Sequence, residues 1–307
     1  MLRSAIIAAS RSRKCRSLVE NLPLARPIVD RFVAGERVTD ALAATRELTR
    51  DRLVTLDHLG EDTQERVQAD AAVEAYRSLL GTLADEGLAA KAEVSVKLSA
   101  LGRTLPRDGD KIALEGARAI CEAAASAGTT VTVDMEDHTT VDATLSIVRE
   151  LRVDFPWVGA VLQAYLRRTE GDCADLAGPG SRVRLCKGAY DEPASVAYRD
   201  RADVDASYVR CLKILMHGDG YPMVATHDPR LIAIAQDVAL RAGRGREGYE
   251  HQMLFGIRAD EQQRLAARGL RMRVYVPYGG EWYPYFVRRL GERPANLAFF
   301  ARALVGR

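Results

Sequence analysis

Apolar and polar side chains alternate with a period of two along several short segments of the chain. The pattern is clearest at residues 94–98, 131–135, 183–185 and 272–276. Because neighbouring side chains on a strand point to opposite faces, one face of each segment is aliphatic and the other carries a polar group. A sheet closed into a barrel under a coat of helices directs the aliphatic faces outward and the polar faces inward. The pattern therefore predicts a barrel with a polar interior.

Eight predicted strands alternate with helical segments. Strands are predicted at residues 53–60, 93–99, 130–136, 158–164, 182–187, 222–226, 250–255 and 273–276. Helices, with apolar residues three and four apart, are predicted at 41–53, 62–83, 112–127, 141–151, 198–216, 228–242, 259–267 and from about residue 285. This alternation is typical of a parallel sheet, and a barrel of this kind takes about 250 residues. The predicted fold class is α/β, a (β/α)8 TIM-like barrel at residues 51–307 after an N-terminal helical segment at residues 1–50.

Composition and charge argue against several classes of function. The chain has 307 residues, of which 44 are basic and 42 acidic, so its net charge of +2 gives no field that favours nucleic acid. Five scattered cysteines without a Cys-x-x-Cys pair favour reduced thiols in a cytoplasm over disulfides or a zinc site. No apolar run approaches the ~20 residues that cross a bilayer. The histidines do not fall at metal-ligand spacings, so no metal site is expected.

One glycine-rich segment matches a nucleotide-binding pattern in letters only. Residues 243–248 read Gly-x-Gly-x-x-Gly, but a dinucleotide site needs a strand before this motif and a helix after it. Here a predicted helix precedes it and a predicted strand follows. We interpret the segment as a connector.

Polar residues recur at the carboxyl ends of the predicted strands, where the catalytic groups of such barrels lie. They are Lys97, Asp134, Gln163, Arg184 and Thr226, with Tyr275 near the end of its strand. Each alone could be a barrel-filling side chain, but six at equivalent places favour a functional mouth. Buried cations need counter-charges, and Asp134 and Glu136 are the nearest candidates for Lys97 and Arg184.

A second set of polar residues follows in the last helix. Tyr285, Arg288, Arg289 and Glu292 share one helix face. In one interpretation they form a row of ion pairs on the protein surface, a surface ladder, in which both arginines reach Glu292. In the other, two inward-facing guanidinium groups bind a carboxylate, which suggests an amino acid or another small acid as substrate.

Several strings closely resemble proline dehydrogenases, both the stand-alone bacterial enzyme and the matching domain of the bifunctional proline utilisation flavoenzyme. They lie at residues 96–99, 133–136, 162–165, 183–190, 225–227 and 285–290, with Glu292 and Asn296 beyond them. The resemblance runs in order from about residue 57 to residue 296. Arg-Leu-x-Lys-Gly-Ala-Tyr and Tyr-x-Val-Arg-Arg-Leu are its most specific strings.

The resemblance implies non-covalently bound FAD and oxidation of L-proline to Δ1-pyrroline-5-carboxylate by hydride transfer to flavin N5, the first step of proline catabolism. It implies catalytic roles for Asp134 and for Arg184, which would lie near N5. Further cofactor contacts are implied for Met135, Gln163, Lys187, Gly188, Ala189, Thr226 and His227. Substrate contacts are implied for Lys97, Tyr190, Tyr275, Tyr285, Arg288 and Arg289, and a gate for Glu61 and Glu292.

The same resemblance implies L-proline and a membrane quinone as partners, with Δ1-pyrroline-5-carboxylate dehydrogenase as a further candidate. A cytoplasmic location is expected, and peripheral contact with the inner face of the membrane stays open. The main alternative is a Schiff-base aldolase on the same barrel, with Lys97 or Lys187 as the nucleophile. A non-catalytic scaffold is disfavoured because every quoted position carries a residue of the required chemical type.

Overall fold

Eight parallel strands close into one barrel in the computed structural model, which describes residues 26–291. The strands are β1 (Leu53–His58), β2 (Ala92–Val96), β3 (Val131–Val133), β4 (Gly159–Gln163), β5 (Arg182–Cys186), β6 (Tyr221–Ala225), β7 (Glu250–Leu254) and β8 (Met272–Tyr278). Each strand pairs with the next along the chain, and β8 pairs with β1 from Leu53↔Arg273 to His58↔Tyr278. The closed parallel barrel confirms the predicted fold class.

Helices follow the strands and form the outer layer. They are α1 (Arg26–Asp30), α2 (Val38–Leu48), α3 (Arg66–Asp85), α4 (Gly109–Ala127), α5 (Val141–Asp154), α6 (Thr169–Leu176), α7 (Arg201–His217), α8 (Pro229–Arg241), α9 (Ala259–Ala267) and α10 (Trp282–Gly291). No helix in residues 26–291 is long and apolar enough to cross a membrane.

The sequence pattern did not predict helix α6. Its eight residues, TEGDCADL, include three acidic side chains and too few apolar ones to give a helical period. The helix is nevertheless anchored, because Cys173 and Leu176 are buried. Tertiary packing therefore decides this element, and local pattern does not.

The predicted division of the strand faces holds in the barrel wall. The aliphatic side chains of Leu56, Val94 and Val96 are fully buried in the cluster between strands and helices. The intervening Thr55 and Ser95 are also fully buried, and they form hydrogen bonds with Glu93 of β2 and with the carbonyl of Thr132 in β3. The polar interior that the alternation predicts is therefore present.

Strand β3 is shorter than predicted. It ends at Val133, although the backbone N–H of Asp134 still donates to the carbonyl of Val96 at 2.8 Å. Asp134 and Glu136 therefore lie in the loop at the mouth. Arg184 was predicted at the end of its strand, but it lies at the centre of β5.

The segment before the barrel packs on it. Helix α2 buries Ala41, Leu42 and Leu48 in the main hydrophobic core. Val29 of α1 lies in one hydrophobic cluster with Phe286 of α10, and just after α1 the Phe32 ring lies 6.4 Å from the Phe286 ring. The domain boundary at residue 50 stays a prediction.

Residues 243–248 connect α8 to β7, as the interpretation of the glycine motif required. Arg244 holds this connector in place, donating to the carbonyls of Met216, Gly220 and Gly248 at 2.8–3.0 Å. Arg244 therefore has a structural role in this segment.

Candidate active site

Two carboxylates surround a buried lysine at the carboxyl-terminal mouth of the barrel. Lys97 Nζ lies 2.7 Å from Asp57 Oδ2 and 3.7 Å from Asp134 Oδ2. Burial disfavours the charge of Lys97, but Asp57, Asp134 and Glu61 outweigh this effect and raise its pKa. Lys97 is therefore a fixed cation at neutral pH.

Asp134 joins three further side chains. Its Oδ1 accepts hydrogen bonds from Arg184 Nη1 at 2.6 Å and Ser95 Oγ at 2.8 Å. Its Oδ2 accepts from the Tyr275 hydroxyl at 2.7 Å. Burial and the Asp134 charge raise the pKa of Tyr275 well above its usual value, so its proton stays in place. Asp57, Lys97, Asp134, Arg184 and Tyr275 are called the mouth network below.

The expected counter-charge role of Glu136 is wrong. This carboxyl accepts hydrogen bonds from the backbone N–H of Ser99, at 3.0 Å, and from its hydroxyl. Burial raises the pKa of Glu136. Asp57 takes the place beside Lys97 instead. The alternation of Thr55 and Asp57 with aliphatic residues in β1 is the signal that could have identified it.

Helix α10 lies at the same end of the barrel and brings an arginine to it. Leu59 and Ile257, which follow β1 and β7, pack with Tyr285 and Phe286 in one hydrophobic cluster. Arg288 makes a two-point ion pair with Glu61 at 2.6 and 3.0 Å.

The Glu61–Arg288 pair stays ionised and belongs electrostatically to the mouth. Burial favours protonation of Glu61, but the charges of Arg288 and Lys97 outweigh it and lower the pKa of the carboxyl. In the loop after β5, burial and the Glu61 charge raise the pKa of Tyr190 well above its usual value.

The two interpretations of the last helix now differ in their support. Arg288 pairs with Glu61 across the mouth, which a surface ladder does not predict. The Arg289 guanidinium carbon lies 5.2 Å from the centre of the Tyr285 ring, so these two residues also stack together. Glu292 lies outside the described residues.

The residues expected to contact a cofactor line the neighbouring part of the mouth. Met135 and Gln163 are buried after β3 and at the end of β4. Gly188 has a φ of +104°, and a Cβ there would lie 2.2 Å from the Tyr165 ring, so only glycine fits. Ala189 is exposed beside it.

Three of the expected cofactor residues already contact other protein groups. Lys187 Nζ pairs with Asp205 and lies 3.5 Å from Asp228 Oδ2. Thr226 Oγ1 accepts from the backbone N–H of Asp228 at 3.1 Å. His227 Nε2 accepts from the backbone N–H of Leu254 at 3.0 Å. These contacts hold the loops after β5 and β6 together at the mouth.

A buried carboxylate that the sequence reasoning missed ties three loops together. Glu192, in the loop after β5, accepts from the His138 backbone N–H at 3.0 Å and from the Tyr165 hydroxyl at 3.2 Å. The His138 ring also contacts it. Glu192 thus fixes the loop that carries Gly188 and Tyr190. Isolated acidic residues in loops give no sequence signal for this role.

The opposite, amino-terminal end of the barrel has a different character. A cavity of about 370 Å³ opens there, lined by Glu93, Arg182, Glu250 and Arg273 among others. Glu93 lies 2.7 Å from Arg182, and Glu250 lies 2.6 Å from Arg273. Each of the two arginines in this layer is therefore already paired with a carboxylate. We interpret this layer as a structural support for the mouth.

The described side chains give little support to a metal site or to a Schiff-base lysine. Residues 26–291 contain no group of three histidine, cysteine or acidic side chains that could hold a metal ion. A Schiff-base lysine must lose its proton to attack, whereas the raised pKa of Lys97 keeps it charged. The aldolase alternative is not favoured.

The comparisons with known proteins agree with this geometry. A family model described as proline dehydrogenase matches residues 41–302. The chain belongs to the proline dehydrogenase family. Proline dehydrogenase from Deinococcus radiodurans is 42% identical over 281 residues, which cover 91% of this chain and 90% of the relative. Proline dehydrogenase 1 from Bacillus subtilis strain 168 is 37% identical over 276 residues, or 90% of each chain.

A solved structure also aligns with this proline dehydrogenase chain. It is proline utilization A from Bdellovibrio bacteriovorus, inactivated by N-propargylglycine, with a TM-score of 0.80 and 26% identity. The alignment covers 90% of this chain and 33% of that longer one. The chain therefore spans about a third of that relative. The family match and these relatives make this protein an oxidoreductase, a proline dehydrogenase.

Proposed function

We propose that the chain oxidises L-proline to Δ1-pyrroline-5-carboxylate with FAD bound at the carboxyl-terminal mouth of the barrel. The observation that carries the proposal is the pair of cations at the mouth, one buried and one half-buried. Lys97 is held charged by Asp57, and Arg288 by Glu61. A small substrate with a carboxylate and an apolar ring fits such a site.

Substrate binding would begin with the carboxylate. Arg288 presents its fork to Glu61, so an incoming carboxylate can replace Glu61 with the same two-point geometry. Arg289 and Lys97 would supply the remaining positive charge. The aromatic residues Tyr190, Tyr275 and Tyr285 would line the pyrrolidine ring.

The mouth also meets the chemical needs of a flavin. Gln163 Oε1 is buried and has no hydrogen-bond partner within the part of the chain that the structure describes, so it can accept from an N–H of a bound ring system. Gln163 and Met135 would hold the ring system. Lys187, Gly188, Ala189, Thr226 and His227 would hold the remainder, with Lys187 sharing its charge with Asp205.

When bound, FAD supplies a two-electron acceptor for the hydride on the ring carbon next to the proline nitrogen. Arg184 keeps a fixed positive charge beside Asp134 and thereby stabilises negative charge that develops nearby. The Tyr275 hydroxyl keeps its proton on the hydrogen bond to Asp134, which holds its ring as a fixed wall. Holding the substrate carbon in a reactive orientation lowers the barrier further.

The electrons would pass to a membrane quinone, and the product to a Δ1-pyrroline-5-carboxylate dehydrogenase. The family resemblance supports both partners. A cytoplasmic chain that meets the membrane peripherally would suit this electron transfer.

Cofactor content and borohydride trapping test the proposal together. The protein purified with added FAD should retain the flavin without a covalent bond and should reduce an artificial electron acceptor when L-proline is supplied. Borohydride should not trap substrate on Lys97 or Lys187. A protein that binds no FAD, or that forms a borohydride-stable lysine adduct, would overturn the proposal.

A further inference from the structure

A buried glutamine inside the barrel contacts the arginine of the mouth network. Gln252 lies at the centre of β7 and is 3% exposed. Its Oε1 accepts a hydrogen bond from Arg184 Nε at 2.6 Å, and its Nε2 donates to Glu250 Oε1 at 2.6 Å. Both distances are short for bonds to an amide, as expected when the partner is charged.

Chemistry allows only one orientation for this amide. A guanidinium group can only donate hydrogen bonds, so the amide oxygen must face Arg184. An ionised carboxylate can only accept, so the amide nitrogen must face Glu250. Glu250 is held in turn by Arg273, which donates to both of its oxygens at 2.6 and 3.1 Å. Arg273 also donates to the carbonyl of Val54 in β1, at 2.9 Å.

The contact at Nε has a distinct geometric effect. The hydrogen bonds from Arg184 to Ser95 and Asp134 both leave from Nη1, at 3.0 and 2.6 Å. These two bonds hold one corner of the guanidinium group. The bond from Nε to Gln252 holds a second corner and so restrains the plane of the group further.

We propose that Gln252 is a positioning residue that fixes the plane of the Arg184 guanidinium group, through a chain that runs from Arg273 to Glu250 to Gln252. This series of side-chain contacts connects the charged layer at the amino-terminal end of the barrel to the mouth. The inference rests on the proposed function only where it concerns catalysis, since the contacts themselves exist without a ligand.

The chain offers a matched control in Gln262 on α9. This glutamine is also buried, at 2% exposed, and accepts from an arginine, Arg52 Nη1, at 3.2 Å. Its amide nitrogen donates to the carbonyls of Leu254 and Ile257. Gln262→Leu therefore removes comparable hydrogen bonds without touching Arg184.

The first measurement needs no cofactor. In protein labelled with ¹⁵N-arginine, the Nε–H signal of Arg184 is identified as the one that disappears in Arg184→Lys. Gln252→Leu should shift this signal and speed its exchange with water, whereas Gln262→Leu should leave it unchanged. An unchanged Arg184 signal in Gln252→Leu would overturn the proposal, whatever the protein catalyses.

The second measurement uses the FAD-loaded enzyme. Gln252→Leu should lower kcat by roughly tenfold to hundredfold, the factor for one lost hydrogen bond to a charged group, with KM for proline changed less than threefold. The midpoint potential of the bound flavin should also shift, while Gln262→Leu should keep the wild-type potential. Equal changes in kcat and potential for both variants would show a merely structural effect and overturn the proposal.

A third variant covers the case in which Gln252→Leu does not fold. The double exchange Glu250→Gln/Gln252→Glu keeps the net charge and one donor–acceptor pair between the two positions. It should retain the Arg184 Nε–H signal, because a carboxylate still accepts from it. Loss of that signal in a folded exchange variant would overturn the proposal.

Discussion

The Glu61–Arg288 pair allows a quantitative test of carboxylate recognition. Arg288→Met removes a cation whose side chain is 23% exposed and which makes two contacts, at 2.6 and 3.0 Å. Loss of one partner of a charged hydrogen-bonded pair costs about 2 to 5 kcal/mol. Because the site is partly solvated, we expect the lower part of this range, about 2 to 3 kcal/mol, or roughly a 30- to 140-fold rise in KM.

Glu61 should respond in the opposite direction. Its lowered pKa keeps it ionised at neutral pH, so it competes with the substrate carboxylate for Arg288. Glu61→Gln removes this competitor and should lower the dissociation constant of a carboxylate ligand. Because Glu61 is also the expected gate, binding and turnover should be measured separately.

Steady-state kinetics with proline and binding titrations with proline and pyrrolidine make up the assay. Pyrrolidine lacks the carboxylate, so Arg288→Met should leave its binding unchanged. Arg264→Met is the matched control, because the exposed Arg264 on α9 makes a similar two-point pair with Glu261, at 2.7 Å for both contacts. Wild-type KM for proline in both Arg288→Met and Arg289→Met would refute carboxylate recognition by this helix.

Three further outcomes are expected. We expect the wild type to prefer proline over trans-4-hydroxyproline by roughly ten- to more than hundredfold in kcat/KM, and Tyr275→Ser should narrow this preference. Equal kcat/KM values for the two substrates in the wild type would show that Tyr275 does not line the pocket. Lys97→Met should lower the free energy of unfolding by about 3 to 5 kcal/mol, because Asp57 is left buried without its partner. Adding Asp57→Asn to this variant should restore part of the loss in a denaturant titration. An unchanged denaturation midpoint in Lys97→Met would contradict the buried pair. Burial lowers the pKa of His251 to about 4, so the unfolded state takes up a proton before the folded state does as the pH falls. The free energy of unfolding should therefore fall by up to roughly 3 kcal/mol from pH 6.5 to pH 4. This fall should shrink in His251→Leu and persist in the exposed control His217→Gln, and equal pH profiles for His251→Leu and the wild type would refute the prediction.

Period-two alternation in four segments, together with the regular succession of eight strands and helices, was enough to predict the barrel. The same signal located Lys97, Asp134 and Tyr275, which the structure joins through direct contacts. The motif resemblance added Glu61, and the structure shows that it pairs with Arg288.

Other features of the site depend on geometry that a local pattern does not contain. Asp57 and Glu136 are both acidic residues near strand ends, yet only Asp57 reaches Lys97, since Glu136 turns to Ser99. Gln252 lies inside the barrel, but its partner Arg184 is 68 residues away in the sequence. Contacts across the barrel depend on strand register and stagger, which period-two alternation alone does not fix.

The central claim is that proline bound at the mouth reduces a flavin held there. Its most direct test is the visible absorption spectrum of the FAD-loaded protein before and after anaerobic addition of L-proline. The account predicts a flavin band that L-proline bleaches and that NAD leaves unchanged. A flavin band that L-proline does not bleach, or a colourless protein that cannot be reconstituted with FAD, would contradict it.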